Sequence, residues 1–374
     1  MIHQATKQFR IAAVTPNSFA DRLILWQRAC GRHSLPWQGT RDPYAIWISE
    51  IMLQQTQVST VIPYYERFMT VFQNVASLAA ASLEEVLAMW SGLGYYSRGR
   101  NLHRTARILL EQYDGVFPQK ALVLQQLPGI GRSTAAAIAA FAFGEYCAIL
   151  DGNVKRILAR YLGVNEYPGE KTAEKYLWEL AESLLPVEKD HQTIASYTQA
   201  LMDLGALVCV RTQPHCQRCP LQADCNAYQS NRTAVLPVPR PRKILPIRET
   251  MHLILLDQDR VLLKRRPVTG IWGGLWCFPE IAVDQSGVDY CEKNLHMRAL
   301  KFAELPRLQH MFTHFKLVIR PLLLSITYQP AREENSENNT LWLTIEEALQ
   351  QAIPAPVRKL LLSTRSLLQS CTYE

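Results

Sequence analysis

Four of the nine cysteines, Cys209, Cys216, Cys219 and Cys225, fall within "CVRTQPHCQRCPLQADC" at the spacing C-x6-C-x2-C-x5-C. Four thiolates so close in sequence can wrap one metal centre; zinc, an iron–sulfur cluster and paired disulfides all fit the count. The other cysteines (Cys30, Cys147, Cys277, Cys291 and Cys371) are scattered, as in a reduced cytosolic protein, so disulfides are the weakest of the three. Two carboxylates also stand out. Asp151, in "AILDGNVKRILARYLG", precedes a run whose apolar face is Val154, Ile157, Leu158 and Tyr161. It is placed to cap that helix, a position that lowers a carboxylate's pKa and keeps it anionic. Glu50, in "YAIWISEIMLQQTQV", shares a helix face with Gln54 and is followed by Gln55, Thr56 and Gln57, amides and a hydroxyl suited to hydrogen-bonding a base or filling a gap in a base stack. Taken alone, Asp151 reads as a cap and Glu50 as a solvated residue.

The elements that would position these groups are helical. From about residue 20 to 225, apolar residues recur at i, i+3 and i+4 in "DRLILWQRAC", "YAIWISEIMLQQTQVSTVIPYYERF", "SLEEVLAMWSGLG", "SRGRNLHRTARILLEQY", "STAAAIAAFAF" and "TIASYTQALMDLGALVC". In "LQQLPGIGRSTAAAIAAFAF" (124–143), Pro128, Gly129 and Gly131 make a tight turn between two helical runs. The second run then starts with free N–H groups at the positive end of its dipole, an anion site suited to a DNA phosphate. "WSGLGYYSRGRNLHR" (90–104) sets Tyr95 and Tyr96 beside Arg98, Arg100, His103 and Arg104, a mixture suited to stacking and backbone contact with nucleic acid, although both tyrosines also fit a core.

The chain of 374 residues has room for more than one domain, and its 48% hydrophobic content is ample for packed cores. A formal charge of +7 and a pI near 8.9 are compatible with a polyanionic partner without requiring one. No apolar run has transmembrane length and the first sixteen residues lack a signal-peptide h-region, so no membrane association and a cytoplasmic protein are expected; those sixteen read as a frayed terminus. The stretch 231–249, "NRTAVLPVPRPRKILPIRE", holds four prolines with little acid and reads as an extended, exposed linker. Beyond it, "MHLILLD", "RVLLKRRP", "GLWCFPEIAV" and "HFKLVIRPLLLSITY" look like strands, and "TIEEALQQA" and "VRKLLLSTRSLL" like helices.

Taken together, "SEIMLQQTQV", "GLGYYSR", "LPGIGRSTA", "ILDGNVKR" and the cysteine spacing, in that order, resemble the helix-hairpin-helix DNA glycosylase superfamily and, within it, the adenine glycosylases that act opposite 8-oxoguanine. The resemblance spans about residues 20 to 365. It implies a multi-domain fold: an all-α helix-hairpin-helix glycosylase domain with an iron–sulfur cluster loop (1–230), a Pro/Arg-rich linker (231–247) and an α+β Nudix-like domain (248–374). It implies a [4Fe–4S] cluster on the four cysteines, with Arg211, His215 and Arg218 between its ligands to meet phosphates.

By position, Glu50 matches the family's general acid and Asp151 its essential aspartate. Adenine leaves poorly unless protonated, so Glu50 needs a raised pKa, and an ionised Asp151 is expected to stabilise the oxocarbenium-like sugar electrostatically or by transient covalent capture. Gln55 matches the residue that wedges into the vacated stack, with Gln54 beside it as a further DNA contact, Tyr95 one that packs at the lesion, and Gly129 and Gly131 those that hold the phosphate backbone. Bifunctional members carry a Lys after the hairpin Arg for Schiff-base chemistry. Here Ser133 stands there, which implies a monofunctional enzyme with Ser133 near the opposite strand or lesion, although Lys155, four residues past Asp151, keeps weak lyase chemistry open.

"GGLWCFPEI" is similar to the start of a Nudix fold, but 281–300 lacks the acidic R-E-x-x-E-E helix, so nucleotide hydrolysis is not expected. "HMFTHFKL" matches the family's Phe-Ser-His loop that contacts 8-oxoguanine, as Phe312, Thr313 and His314. The implied partner is double-stranded DNA with an 8-oxoguanine:A or G:A mispair, engaged by a monomer whose linker is open to repair proteins. The competing readings are a bifunctional endonuclease III-like glycosylase/AP lyase and a non-catalytic, metal-stabilised DNA-binding protein.

Overall fold

The computed structural model describes residues 16–241, 244–328 and 339–371; the expectation of a frayed terminus falls, for residues 1–15, outside them. The chain divides into two compact units, residues 1–79 with 104–241, and 80–103 with 242–374.

The chain starts with helices α1 (Pro16–Cys30), α2 (Pro43–Leu53), α3 (Val58–Val71), α4 (Val75–Ala80) and α5 (Leu83–Trp90). There follow α6 (Ser97–Tyr113), α7 (Ala121–Leu124), α8 (Arg132–Phe143), α9 (Gly152–Leu162), α10 (Lys171–Ser183), α11 (His191–Leu207) and α12 (Asn226–Gln229). The core of the first unit comes from α1, α8, α9, α10 and α11, with Phe19, Leu23, Val154, Ile157, Leu158, Tyr197 and Leu201 buried together. Helix α8 is lined with alanines, and Ala135, Ala136, Ala137, Ala139 and Ala140 are all buried. Such small side chains let helix axes approach closely, and α8 packs against both α2 and α11. The run "YAIWISEIMLQQTQVSTVIPYYERF", expected as one helix, is two. Helix α2 stops at Leu53 with Gln54 leaving the helical conformation at its C-cap, and Gln55 takes a left-handed φ of 57° before α3 begins.

The second unit holds α5 and the start of α6 together with the C-terminal residues, whereas the sequence puts 80–103 inside the helical domain. The anchors are polar and specific: Trp276 Nε1 donates to Glu84 at 2.8 Å, Tyr96 Oη to the Ile353 carbonyl at 2.9 Å and Arg100 to the Gly273 carbonyl at 2.9 Å. Strands β1 (Ile247–Asp257), β2 (Arg260–Arg265), β3 (Trp276–Cys277), β4 (Glu280–Ile281), β5 (Arg298–Glu304), β6 (Leu308–Met311), β7 (Lys316–Tyr328) and β8 (Thr340–Thr344) form one mixed sheet. Its centre is the parallel β1–β7 pair, and the other pairings are antiparallel. Helices α13 (Gly287–Leu295), α14 (Ile345–Gln350) and α15 (Ala355–Cys371) complete it.

The linker is neither fully extended nor fully exposed. Leu236 is buried and its carbonyl accepts from Arg160 Nε at 2.8 Å, while Ile247–Glu249 already belong to β1. Among the described residues no helix is long and apolar enough to cross a membrane.

Candidate active site and cysteine loop

Asp151 sits where the helix rules put it: its Oδ1 accepts from Val154 N at 2.8 Å, capping α9, which ends at the left-handed Gly163. The expected electrostatics are reversed. Burial raises the Asp151 pKa above the usual carboxylate value, outweighing the lowering by the Val154 and Asn153 N–H groups and the cations of Arg156 and Lys155. A cap supplies one or two dipoles, whereas desolvation acts on the whole charge.

Glu50 lies on the last turn of α2 and lines a cavity of about 460 Å³ with Arg32, His33, Trp37, Ser49, His191 and Gln199 among its walls. Its surface is partly open to that cavity, yet protein surrounds the carboxyl. Burial first, and then the charge of Asp151, raise its pKa to about 8. The charge of Asp151 is already in place when Glu50 titrates and counts against its ionisation. Asp151 therefore loses its proton first and Glu50 keeps one at neutral pH. An anion beside a neutral acid is the arrangement that acid-assisted cleavage of a bond to a good cation requires.

Around this pair, Gln54 reaches from the end of α2 towards the hairpin, with Nε2 at 3.3 Å from both the Gly129 carbonyl and Thr134 Oγ1. Gln55 is exposed on its left-handed turn, a conformation uncommon outside glycine. Gly129 has φ 79°, and Gly131 caps α8 with no side-chain bond to its first N–H groups. Thr105 Oγ1 secures the turn by donating to the Pro128 carbonyl at 2.9 Å. Ser133 does not stand out from the surface. It is half-buried and its hydroxyl accepts from Leu150 N at 3.0 Å, tying the start of α8 to the residue before Asp151. Lys155 pairs with Glu174 at 2.7 Å.

The cysteines follow α11. Cys216–Arg218 and Gln222–Asp224 form short 3-10 turns, and Cys225 precedes α12. Burial first, then the charges of Cys209, Cys225 and Cys216, push the Cys219 thiol up to about 12 against a backbone hydrogen bond, so the four sulfurs share one neighbourhood. Beneath them Arg160 is 2% exposed; its Nη1 donates to the Val210 carbonyl at 2.7 Å and lies 3.5 Å from Cys209 Sγ, and its Nη2 donates to the Arg211 carbonyl at 2.9 Å. No carboxylate pairs with it among the described residues. A buried guanidinium without a carboxylate fits a negatively charged group in the loop. No group of three or more His, Cys, Asp or Glu among the described residues could hold a metal ion. A cubane cluster makes no demand for one shared ion, because each thiolate binds its own iron. Arg211, His215 and Arg218 are exposed.

In the second unit, Tyr95 is half exposed with φ 45° and the Arg98 guanidinium 5.6 Å from its ring centre, whereas Tyr96 is core. Phe312, Thr313 and His314 lie on the bend between β6 and β7, with Thr313 and His314 exposed. Phe312 stacks on Phe315 at 4.7 Å and meets Trp272 and His310, so it props the bend. Helix α13 follows β4 with Asp289 and Glu292 as its only acids, in keeping with the absent acidic motif.

The sequence reading missed the cavity walls, Arg32 and Gln199 above all. A signal existed in α11, where Gln199 and Asp203 stand one turn apart at i, i+4.

Comparison with known proteins is consistent across the chain. Residues 48–183 match the HhH-GPD superfamily base excision DNA repair protein model, and residues 250–363 the NUDIX domain model. The chain is 38% identical to the adenine DNA glycosylase of Buchnera aphidicola subsp. Baizongia pistaciae, over 92% of its own length and 95% of that protein. It is 34% identical to the adenine DNA glycosylase of Mus musculus and 32% to that of Homo sapiens, in each case over 93% of this chain, and over 78% and 74% of those proteins. A thermostable thymine-DNA glycosylase superposes with a TM-score of 0.51 at 30% identity, over 57% of this chain and 95% of that one.

Proposed function

We propose that this chain, which belongs to the adenine DNA glycosylase family, removes adenine mispaired with 8-oxoguanine or guanine in double-stranded DNA by hydrolysing its N-glycosidic bond. The observation that supports this most is the ordered pair of carboxyls, with Glu50 protonated to about pH 8 while Asp151 ionises first.

The adenine leaves the stack before it can react, at a cost of about a few kcal/mol. Glu50 then gives its proton to the purine N7 as the C1′–N9 bond breaks, so that the electrons of that bond leave on a neutral base. Positive charge gathers on the sugar, and the Asp151 carboxylate stabilises it. Glu50, now ionised, takes a proton from the water that adds to C1′, and an abasic site remains. Gln54, Gln55 and Tyr95 support the opened stack. The N–H groups of the Gly129–Gly131 turn hold a phosphate, and Ser133, bonded to Leu150 N, braces the Asp151 segment. With no amine at position 133 the strand stays intact.

Cys209, Cys216, Cys219 and Cys225 would hold a [4Fe–4S] cluster, which would staple the loop that carries Arg211, His215 and Arg218. Cys219→Ser is expected to lose bound iron and its visible absorbance, and to melt roughly 10 °C lower; a variant that kept its iron would remove Cys219 from the ligand set. The Pro/Arg-rich linker joins the glycosylase domain to the Nudix-like domain, the protein acts as a cytoplasmic monomer, nucleoid-associated in a bacterium, and the linker is its surface for repair proteins.

Phe312, Thr313 and His314 read 8-oxoguanine, with Thr313 supplying a hydroxyl. His314→Ala should lower the preference for 8-oxoguanine:A over G:A by about tenfold, the worth of one good base contact; an unchanged ratio would take lesion reading away from this bend. The assignment as a whole is tested by single-turnover adenine release from an 8-oxoguanine:A duplex, read with and without alkali. Strand breaks only after alkali support a monofunctional glycosylase. Breaks without alkali would mean a bifunctional enzyme, and no base release from iron-replete protein would leave the DNA-binding reading.

A further inference from the structure

Asp203 is a carboxylate with its side chain wholly buried, yet it lies just behind the cavity that holds Glu50. It accepts three hydrogen bonds: Arg32 Nε at 2.7 Å and Gln199 Nε2 at 2.9 Å on Oδ1, and Arg32 N at 2.9 Å on Oδ2. Two of these donors belong to side chains that line the cavity. A carboxylate can only accept, so it selects the orientation of an amide beside it. With Gln199 turned over, two oxygens would face each other inside protein, which costs an unmet acceptor as well as the repulsion. Gln199 is thereby committed to giving Nε2 to Asp203, and Oε1 is the atom left for a ligand. Arg32, held through Nε and its own backbone, is left with its Nη groups.

We propose that Asp203 is a positioning residue that sets the hydrogen-bond polarity of the base cavity, presenting an acceptor from Gln199 beside donors from Arg32, and so selects a 6-amino over a 6-oxo purine. The inference rests on the proposed adenine-releasing function and deepens it. Adenine offers an N–H donor at position 6 and acceptors at its ring nitrogens, which match that arrangement. Hypoxanthine, of nearly the same shape, offers an oxygen at position 6 and meets the Gln199 oxygen with no hydrogen between. A site built to bond one polarity rejects the other far more strongly than it rejects a change of size.

The test is single-turnover release from two duplexes that differ only in adenine or hypoxanthine opposite 8-oxoguanine, for the wild type, Asp203→Asn and Gln199→Leu. Asparagine has one oxygen for three donors, and with Nδ2 in the Oδ1 place it donates to Gln199 at the expense of the Arg32 Nε bond, so Gln199 can turn over and the adenine-to-hypoxanthine rate ratio should fall at least about tenfold in Asp203→Asn. It should fall similarly in Gln199→Leu, which leaves the buried ion pair intact and so covers the case in which Asp203→Asn does not fold. The double variant should shift the ratio no further than Gln199→Leu alone, because Asp203 acts through that amide. A general loss of rate with an unchanged ratio in either single variant would mean that Asp203 only supports the fold, and would overturn the proposal. Wild-type release of adenine, read in the same assay, checks the underlying function separately: its absence would defeat that reading, whereas its presence with unchanged ratios would defeat this one alone.

Discussion

Asp151→Asn should lower single-turnover adenine release by about a thousandfold or more, in the range of losing a group that stabilises charge in the transition state. The substitution isolates charge from structure. Asparagine caps a helix as well as aspartate does, so the bond to Val154 N should persist and α9 should keep its start. Thermal melting and affinity for the uncleaved duplex are therefore expected to hold while release collapses. Asp190→Asn is the matched control: Asp190 caps α11 by accepting from Thr193 N at 3.0 Å, in an exposed position. It should release adenine at the wild-type rate. If Asp151→Asn kept more than about a tenth of the rate, the carboxylate would be only a cap and the charge of the transition state would need another partner.

That test bears on what a sequence can disclose. The position of Asp151 was legible, because capping and the apolar face of Val154, Ile157, Leu158 and Tyr161 are local properties. Its electrostatics were not. The sign of the pKa shift depends on how much protein from other helices closes over the carboxyl, and local rules gave the opposite sign. The turn at Gln54–Gln57 was hidden for a related reason: apolar periodicity continues across it, and a left-handed Gln55 carries none of the glycine that marks such a break. The grouping of residues 80–103 with the C-terminal sheet depends on single bonds such as Trp276 to Glu84, separated by 192 positions. Helix α5 itself was legible, with its Ser82–Glu85 capping box. The partial burial of the linker likewise rests on Arg160, a residue of α9 that nothing in the proline-rich stretch announces.

Replacing Glu50 by glutamine should cost about 10²- to 10⁴-fold in release, the usual worth of a positioned acid, and should remove the alkaline limb of the pH profile. In the wild type, release requires the protonated form, so the rate is expected to hold below about pH 8 and then to fall tenfold per pH unit above it. The acidic limb belongs to Asp151, which must be ionised and whose pKa is itself raised. The same shift has a consequence for stability, with the opposite pH dependence to that of an ordinary surface carboxylate. The folded state binds the Glu50 proton more tightly than the unfolded chain does. Stability is therefore lost as pH climbs from the unfolded value towards about 8, and the loss is complete beyond it. Glu50→Gln removes that loss and should be more stable than the wild type by roughly 2–4 kcal/mol near pH 9, after a discount for the open cavity, with no advantage near pH 4. A variant that is slower and more stable only at high pH would identify a carboxyl kept protonated at an energetic cost for catalysis. A slower variant with the same melting profile as the wild type at both pH values would mean that Glu50 titrates normally and that the proton reaching adenine comes from elsewhere.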